Sequence, residues 1–142
     1  MIYYTNLGRI TKGKLSMYDK ENVFAKIVRG EIPCKKIYEN EYAISFYDIN
    51  PIFSTHVLVI PRGEYENILD FAKNASAAEQ AGFWQCFTQT AEILKLAGDF
   101  NVLSNAGENA PFVRQSVMHF HLHLVAGGQT PELQKILGCL CK

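Results

Sequence analysis

Three of the four histidines in this chain occupy alternate positions, in the run His119-Phe120-His121-Leu122-His123, and the apolar pair Leu124-Val125 follows. Side chains alternate between faces along a strand, whereas at helical pitch residues two apart point in nearly opposite directions. The run therefore predicts a strand over Val117 to Val125. Its imidazoles are spaced about 7 Å apart on one face, and Phe120, Leu122 and Leu124 enter a core on the other. A lone buried histidine is commonly satisfied by backbone groups, but three in alternation with an apolar counter-face call for a chemical explanation. They can share a small anionic ligand or a metal ion.

The rest of the 142-residue chain, 48% hydrophobic, reads as a single domain able to bury a sizeable core. Asn22 to Gly30 has the form of a short capped helix: Asn22 accepts from free first-turn amides, Gly30 takes the left-handed conformation that ends it, and Phe24, Ile27 and Val28 form its stripe. Lys36 to Glu39 and Tyr42 to Tyr47 read as a hairpin turning at Asn40-Glu41. Asp48-Ile49-Asn50-Pro51 interrupts the pattern as a candidate binding loop, and His56 to Ile60 resumes as a buried strand ending at Pro61. Ser76-Ala-Ala-Glu79 is a capping-box signature opening a long helix with Phe83, Phe87, Ala91 and Leu94 on one face up to Gly98. Phe100 to Ser104 reads as a strand and Asn105 to Gln115 as an irregular loop. Strands grouped with one short and one long helix, without βαβ alternation, predict an α+β fold with a five-stranded, mainly antiparallel sheet.

Basic and acidic residues balance at 14 each, so nothing favours nonspecific binding to nucleic acid or to an anionic membrane. Arg9, Lys12 and Lys14 are the only charged side chains in residues 1–16, which read as a basic, poorly ordered extension before a domain over 17–142. With no apolar run long enough to span a bilayer and no secretory signal, a cytoplasmic location is expected. Cys34, Cys86, Cys139 and Cys141 form no Cys-x-x-Cys pair and are expected as reduced thiols.

Upstream of the triad the only acid in reach is Glu108, and no cysteine is near, whereas metal sites commonly add a carboxylate or thiolate. Asn105, Gly107, Asn109, Gln115 and Ser116 offer neutral donors suited to phosphate oxygens and a leaving group.

His119 to Val125 resembles the signature of the histidine triad (HIT) nucleotide hydrolases and transferases, in which three histidines alternate with apolar residues. Gln115-Ser116-Val117-Met118 and Gly127-Gly128 resemble its Hint-like branch, the nucleoside phosphoramidate hydrolases. Matches at Phe24-Ala-Lys-Ile27, Gly30-Glu-Ile-Pro33, Phe46 to Pro51 and His56 to Pro61 extend the similarity over most of the chain. The resemblance implies a HIT-like fold. It makes His121 the nucleophile at the α-phosphate of a purine nucleotide, with His123 and Asn105 holding phosphate oxygens and Gln115 completing the phosphate loop. Ser116 would reach the leaving group, and His119 and His56 would support the cluster. Asp48 would bind the ribose hydroxyls, with Ile49, Phe24, Ile27, Ile32 and Phe46 walling the base.

Implied with these roles are an AMP-like ligand, release of a nucleoside monophosphate, no cofactor and a homodimer with a continuous sheet. A dinucleoside polyphosphate hydrolase and a nucleotide-regulated binding module with little turnover are the alternatives. Many bacterial members carry a zinc-binding Cys-x-x-Cys where this chain has Asn22 and Ala25, so no structural zinc is expected. The loop to Gln115 is longer than in typical Hint proteins and carries Arg114 in place of glycine, so their phosphate-loop geometry does not carry over, and the tail after Gly128 lacks the Trp-containing segment of some relatives, so neither does substrate preference.

Overall fold

The computed structural model describes residues 18–131 and Lys135. The extension over residues 1–16, Met17, Cys139 and Cys141 lie outside the described residues. Among the described residues eight elements are delimited, in order: α1 Val23–Val28, β1 Lys36–Glu39, β2 Ala43–Tyr47, β3 Phe53–Pro61, α2 Ile68–Asn74, α3 Ala77–Ile93, β4 Phe100–Leu103 and β5 Leu122–Gln129. The strands form one sheet in the order β1-β2-β3-β5-β4, antiparallel at every pairing. No helix among the described residues is long and apolar enough to cross a membrane.

Local chemistry explains most of these boundaries. The Asn22 side chain accepts the Ala25 amide at the start of α1, and Gly30 adopts a φ of 77° beyond its end. In the β1–β2 turn Asn40 Oδ1 accepts the amides of Tyr42 and Ala43, while Asn40 Nδ2 donates to the Gly82 carbonyl and so ties the turn to α3. Both halves of the Ser76/Glu79 capping box are formed. Packing covers both faces of the sheet. Phe71, Phe83 and Phe120 meet with ring centroids 5.0 to 5.1 Å apart between the sheet and α2/α3. On the other face Phe24 of α1 packs with Ile44, Phe46, Leu58 and Ile60.

Besides α3 stopping at Ile93, short of the expected Gly98, three features depart from the sequence reading. First, a third helix, α2, lies between the expected two: Asn67 caps the Leu69 and Asp70 amides, and only Phe71 is buried. One anchoring residue in seven carries no readable period. Second, β3 begins at Phe53 rather than His56, because its first residues pair with the end of β5 across a bulge. Gly127 sits in that bulge at φ 78°, where a Cβ would collide with Ser54 Oγ. Third, the histidine strand runs over Leu122–Gln129 rather than Val117 to Val125. Ahead of it the Phe120 amide donates to the Tyr65 carbonyl and the His121 carbonyl accepts from Ser104 Oγ. Pro61, at the facing end of β3, has no N–H to extend the ladder.

The alternation survives this displacement. Phe120 and Leu122 enter the core beneath α3, while His119 and His121 pack against Phe24 of α1 on the opposite face.

Candidate active site

Between α1, the segment after it, β2 and β5 lies a cavity of about 540 Å³. Phe24, Ile27, Ile32, Phe46 and Leu58 make its apolar wall, and Asp48, Ser116, His121 and His123 bring polar groups to it. Ile49, 91% exposed, stands at the rim. An apolar slot joined to a few convergent polar groups is the usual form of a small-molecule site.

The hydrogen bonds assign the imidazole protons. His121 Nδ1 lies 2.7 Å from the His119 carbonyl, which can only accept, so Nδ1 carries the proton. A neutral ring then has its lone pair on Nε2, which no protein group among the described residues hydrogen-bonds. Phe24 meets this ring edge to face with centroids 5.0 Å apart and fixes its plane.

His56 Nδ1 accepts the Ile52 amide at 3.1 Å, so the neutral His56 carries its proton on Nε2. That proton is donated to His123 Nδ1 at 2.9 Å, and an Asp48 carboxylate oxygen lies 3.4 Å from His56 Nε2. His123, accepting at Nδ1, keeps its own proton on Nε2. The arrangement sets a bare nitrogen on His121 beside an N–H donor on His123, with the two ring centroids 4.9 Å apart.

Burial keeps the cluster neutral. Desolvation pushes His119 down to about 4, and desolvation with the charges of His121 and His56 pushes His123 down to about 3. Desolvation also lowers His121 and His56, partly offset in His121 by its bond to the His119 carbonyl and in both by the Asp48 carboxylate. A neutral imidazole is the form that can attack phosphorus.

Nine of the residues expected from the sequence line the cavity: Phe24, Ile27, Ile32, Phe46, Asp48, Ile49, Ser116, His121 and His123. The other four stand behind or beside it. His56 and His119 are buried and act through hydrogen bonds. Asn105 is half-buried in the loop two residues past Leu103, which pairs with His123. Gln115 is buried and uses its amide as a brace: Oε1 accepts the Gly107 amide, and Nε2 donates to the carbonyls of Glu66 and Val117. It closes the 107–115 loop and fixes where Ser116 emerges.

Sequence reasoning missed Lys35 and Tyr47, which also line the cavity, with the Lys35 ammonium 4.9 Å from the Tyr47 ring centroid. Tyr47 precedes Asp48, which was the available signal. Cys34 lines the cavity too, but burial pushes its thiol up and away from reactivity. Asp48, His56 and His123 present ligand atoms within 4.8 Å of one another and could hold a metal ion, at the cost of the His56–His123 hydrogen bond.

Residues 29–130 match the HIT domain family. The chain belongs to the HIT family. A 13.2 kDa HIT-like protein of Azospirillum brasilense is 48% identical over 114 residues, covering 78% of this chain and 88% of that protein. Among solved structures, a HIT family hydrolase from Clostridium thermocellum superposes with a TM-score of 0.62 at 32% identity, over 76% of this chain and 91% of that one. A histidine triad nucleotide-binding protein from Candida albicans also gives 0.62, at 28% identity, over 84% and 94% of the two chains. The HIT-like fold, with its antiparallel five-stranded sheet, is common to this chain and these HIT structures.

Proposed function

We propose that this HIT protein hydrolyses purine nucleoside phosphoramidates or related adenylated compounds at the α-phosphate, through a nucleotidyl group carried on His121. One observation carries the reading: the His121 Nδ1 proton is committed to the His119 carbonyl, and the remaining lone pair on Nε2 belongs to a ring lining a cavity that also contains Asp48. In the first step Nε2 forms a bond to phosphorus as the bond to the leaving group breaks. Ser116, exposed at the cavity, hydrogen-bonds the departing group. The substituted His121 ring is then cationic, and the His119 carbonyl and the Asp48 charge stabilise it.

In the second step water attacks phosphorus and gives a proton back to the neighbouring imidazole that protonated the leaving amine, the bond from phosphorus to His121 Nε2 breaks, and the nucleoside monophosphate leaves, so one difficult displacement becomes two easier ones. His123 Nε2–H and Asn105 hold phosphate oxygens, with the 107–115 loop set by Gln115. Asp48 accepts the ribose hydroxyls, while Phe24, Ile27, Ile32, Phe46 and Ile49 wall the purine. Phosphate charge favours protonation of the neighbouring imidazoles, which assists departure of an amine. No step calls for a metal ion.

Incubation with an adenosine phosphoramidate and with a diadenosine polyphosphate, each with and without chelator, tests this. AMP from the phosphoramidate in both conditions is expected. AMP from the polyphosphate alone would favour the dinucleoside polyphosphate hydrolase, and AMP binding without turnover of either would make the protein a binding module.

A homodimer joined through the edge strand β4 is part of the same proposal. Val102 and Leu103 of that strand, with Trp84 and Ile93 of α3, are 41 to 52% exposed, which is apolar surface suited to a second copy. Light scattering reads the dimer mass directly.

A further inference from the structure

His119 does not line the cavity, yet both of its ring nitrogens are engaged. Nε2 lies 2.9 Å from the Pro61 carbonyl, which can only accept, so the ring proton is on Nε2 and Nδ1 is a lone pair. The Tyr18 hydroxyl hydrogen-bonds that lone pair from the segment ahead of α1, 101 residues away in sequence. The two rings also meet edge to face with centroids 5.6 Å apart. Burial raises the Tyr18 phenol above its ordinary value, so it retains its proton and is the donor at neutral pH.

The segment carrying Tyr18 is itself held in place. Arg29 Nη1, at the end of α1, donates to the Lys20 carbonyl at 2.8 Å. Lys20 in turn pairs with Glu64, just beyond β3, at 3.5 Å.

We propose that Tyr18 is a positioning residue for the nucleophile: with the Pro61 carbonyl it clamps the His119 ring in one tautomer, and so orients the His119 carbonyl that holds the His121 Nδ1 proton. His119 is 1% exposed, so without the phenol its Nδ1 is a buried acceptor lacking a donor. The opposite tautomer offers no relief, because it would set the Nε2 lone pair against the Pro61 carbonyl. Loss of the hydroxyl therefore lets the ring leave its position, and the main chain that aligns His121 goes with it. The kinetic part of this inference rests on the function proposed above, whereas the tautomer part does not.

Tyr18→Phe removes the donor and keeps the ring, and two readouts decide the matter. The first is the imidazole ¹⁵N shifts of His119 and His121. Wild type is expected to show His119 as a single Nε2–H tautomer and His121 as Nδ1–H, and the variant to show both disturbed. The second is turnover of the adenosine phosphoramidate, where kcat is expected to fall about tenfold at unchanged KM, near the upper end for one hydrogen bond. Thermal unfolding confirms that the variant is folded, and should it fail to fold, the wild-type Nδ1 shift of His119 decides: it is expected upfield of a free imidazole lone pair because Nδ1 accepts the Tyr18 hydroxyl, and a free-lone-pair value would overturn the proposal.

Nδ1–H on His119 in wild type would overturn the proposal. So would unchanged shifts in Tyr18→Phe, whatever kcat does, since any loss of rate would then not run through His119. Disturbed shifts with unchanged kcat would also overturn it. If wild type turns over no substrate, the function proposed above fails by itself, and the His121 shifts alone carry the test of Tyr18.

Discussion

Keeping four imidazoles neutral inside the fold makes the protein lose stability on mild acidification. The unfolded chain titrates its histidines near 6.5, while the folded protein holds His119 at about 4 and His123 at about 3, chiefly by burial. As pH falls through 6.5 the unfolded state binds protons that the folded state cannot accept. Stability is therefore full above that value and declines toward the folded values. Between pH 7 and pH 5 each of these two residues costs about 2 kcal/mol, or about 4 kcal/mol together, against a total of about 5 to 15 kcal/mol for an ordinary domain. His56 and His121 are lowered as well and act with the same sign.

The carboxyls held low by their partners, Glu31, Glu39 and Glu79, stay largely ionised in both states over this window, so the loss is attributable to the imidazoles. Urea unfolding at pH 7 and pH 5 at constant ionic strength measures the difference as a shift of the midpoint. Equal midpoints, or a higher midpoint at pH 5, would refute the reasoning, as would histidine NMR titrations centred near 6.5 in the folded protein.

Three further outcomes follow from particular contacts. Gly82→Ala places a Cβ under 3.0 Å from three Tyr42 atoms, one of them Tyr42 Cβ, which cannot swing aside. Thermal unfolding should show a net loss, because the overpacking cost of about 1 to 3 kcal/mol exceeds the gain of about 1 kcal/mol in helix propensity. Gln115→Ala removes three hydrogen bonds and leaves their backbone partners without it, costing about 2 to 3 kcal/mol and speeding hydrogen exchange at the Gly107 amide. Asp48→Asn preserves the acceptor for the Asn50 amide but removes the charge, so AMP affinity measured by calorimetry should fall about 10- to 100-fold, with weaker discrimination against 2′-deoxy-AMP.

Where the signal was local, the sequence was readable. Asn22, Asn40 and the Ser76/Glu79 pair cap or turn the chain as their chemistry dictates, because each acts on amides two or three residues away. The alternation around His121 placed the imidazoles on one side of the chain and Phe120 and Leu122 on the other, and nine of the expected residues line one cavity.

What escaped depends on partners distant in the chain. The histidine strand starts late because Tyr65, Ser104 and Pro61 take or deny its early pairings. Gln115 has donor and acceptor groups suited to a phosphate, but the carbonyl of Glu66 and the amide of Gly107 engage them. Tyr18 carried no sequence signal, since its meaning comes from a ring 101 residues away.

The account stands or falls on the Nε2 lone pair of His121. Rapid mixing with an adenosine phosphoramidate, quenching in alkali where a P–N bond survives, and peptide mass analysis would test it most directly. A nucleotidyl group on His121, absent when His121→Ala is treated identically, is the expected result. Hydrolysis with no adduct on any histidine, or an adduct on His119 or His123 that persists in His121→Ala, would contradict it.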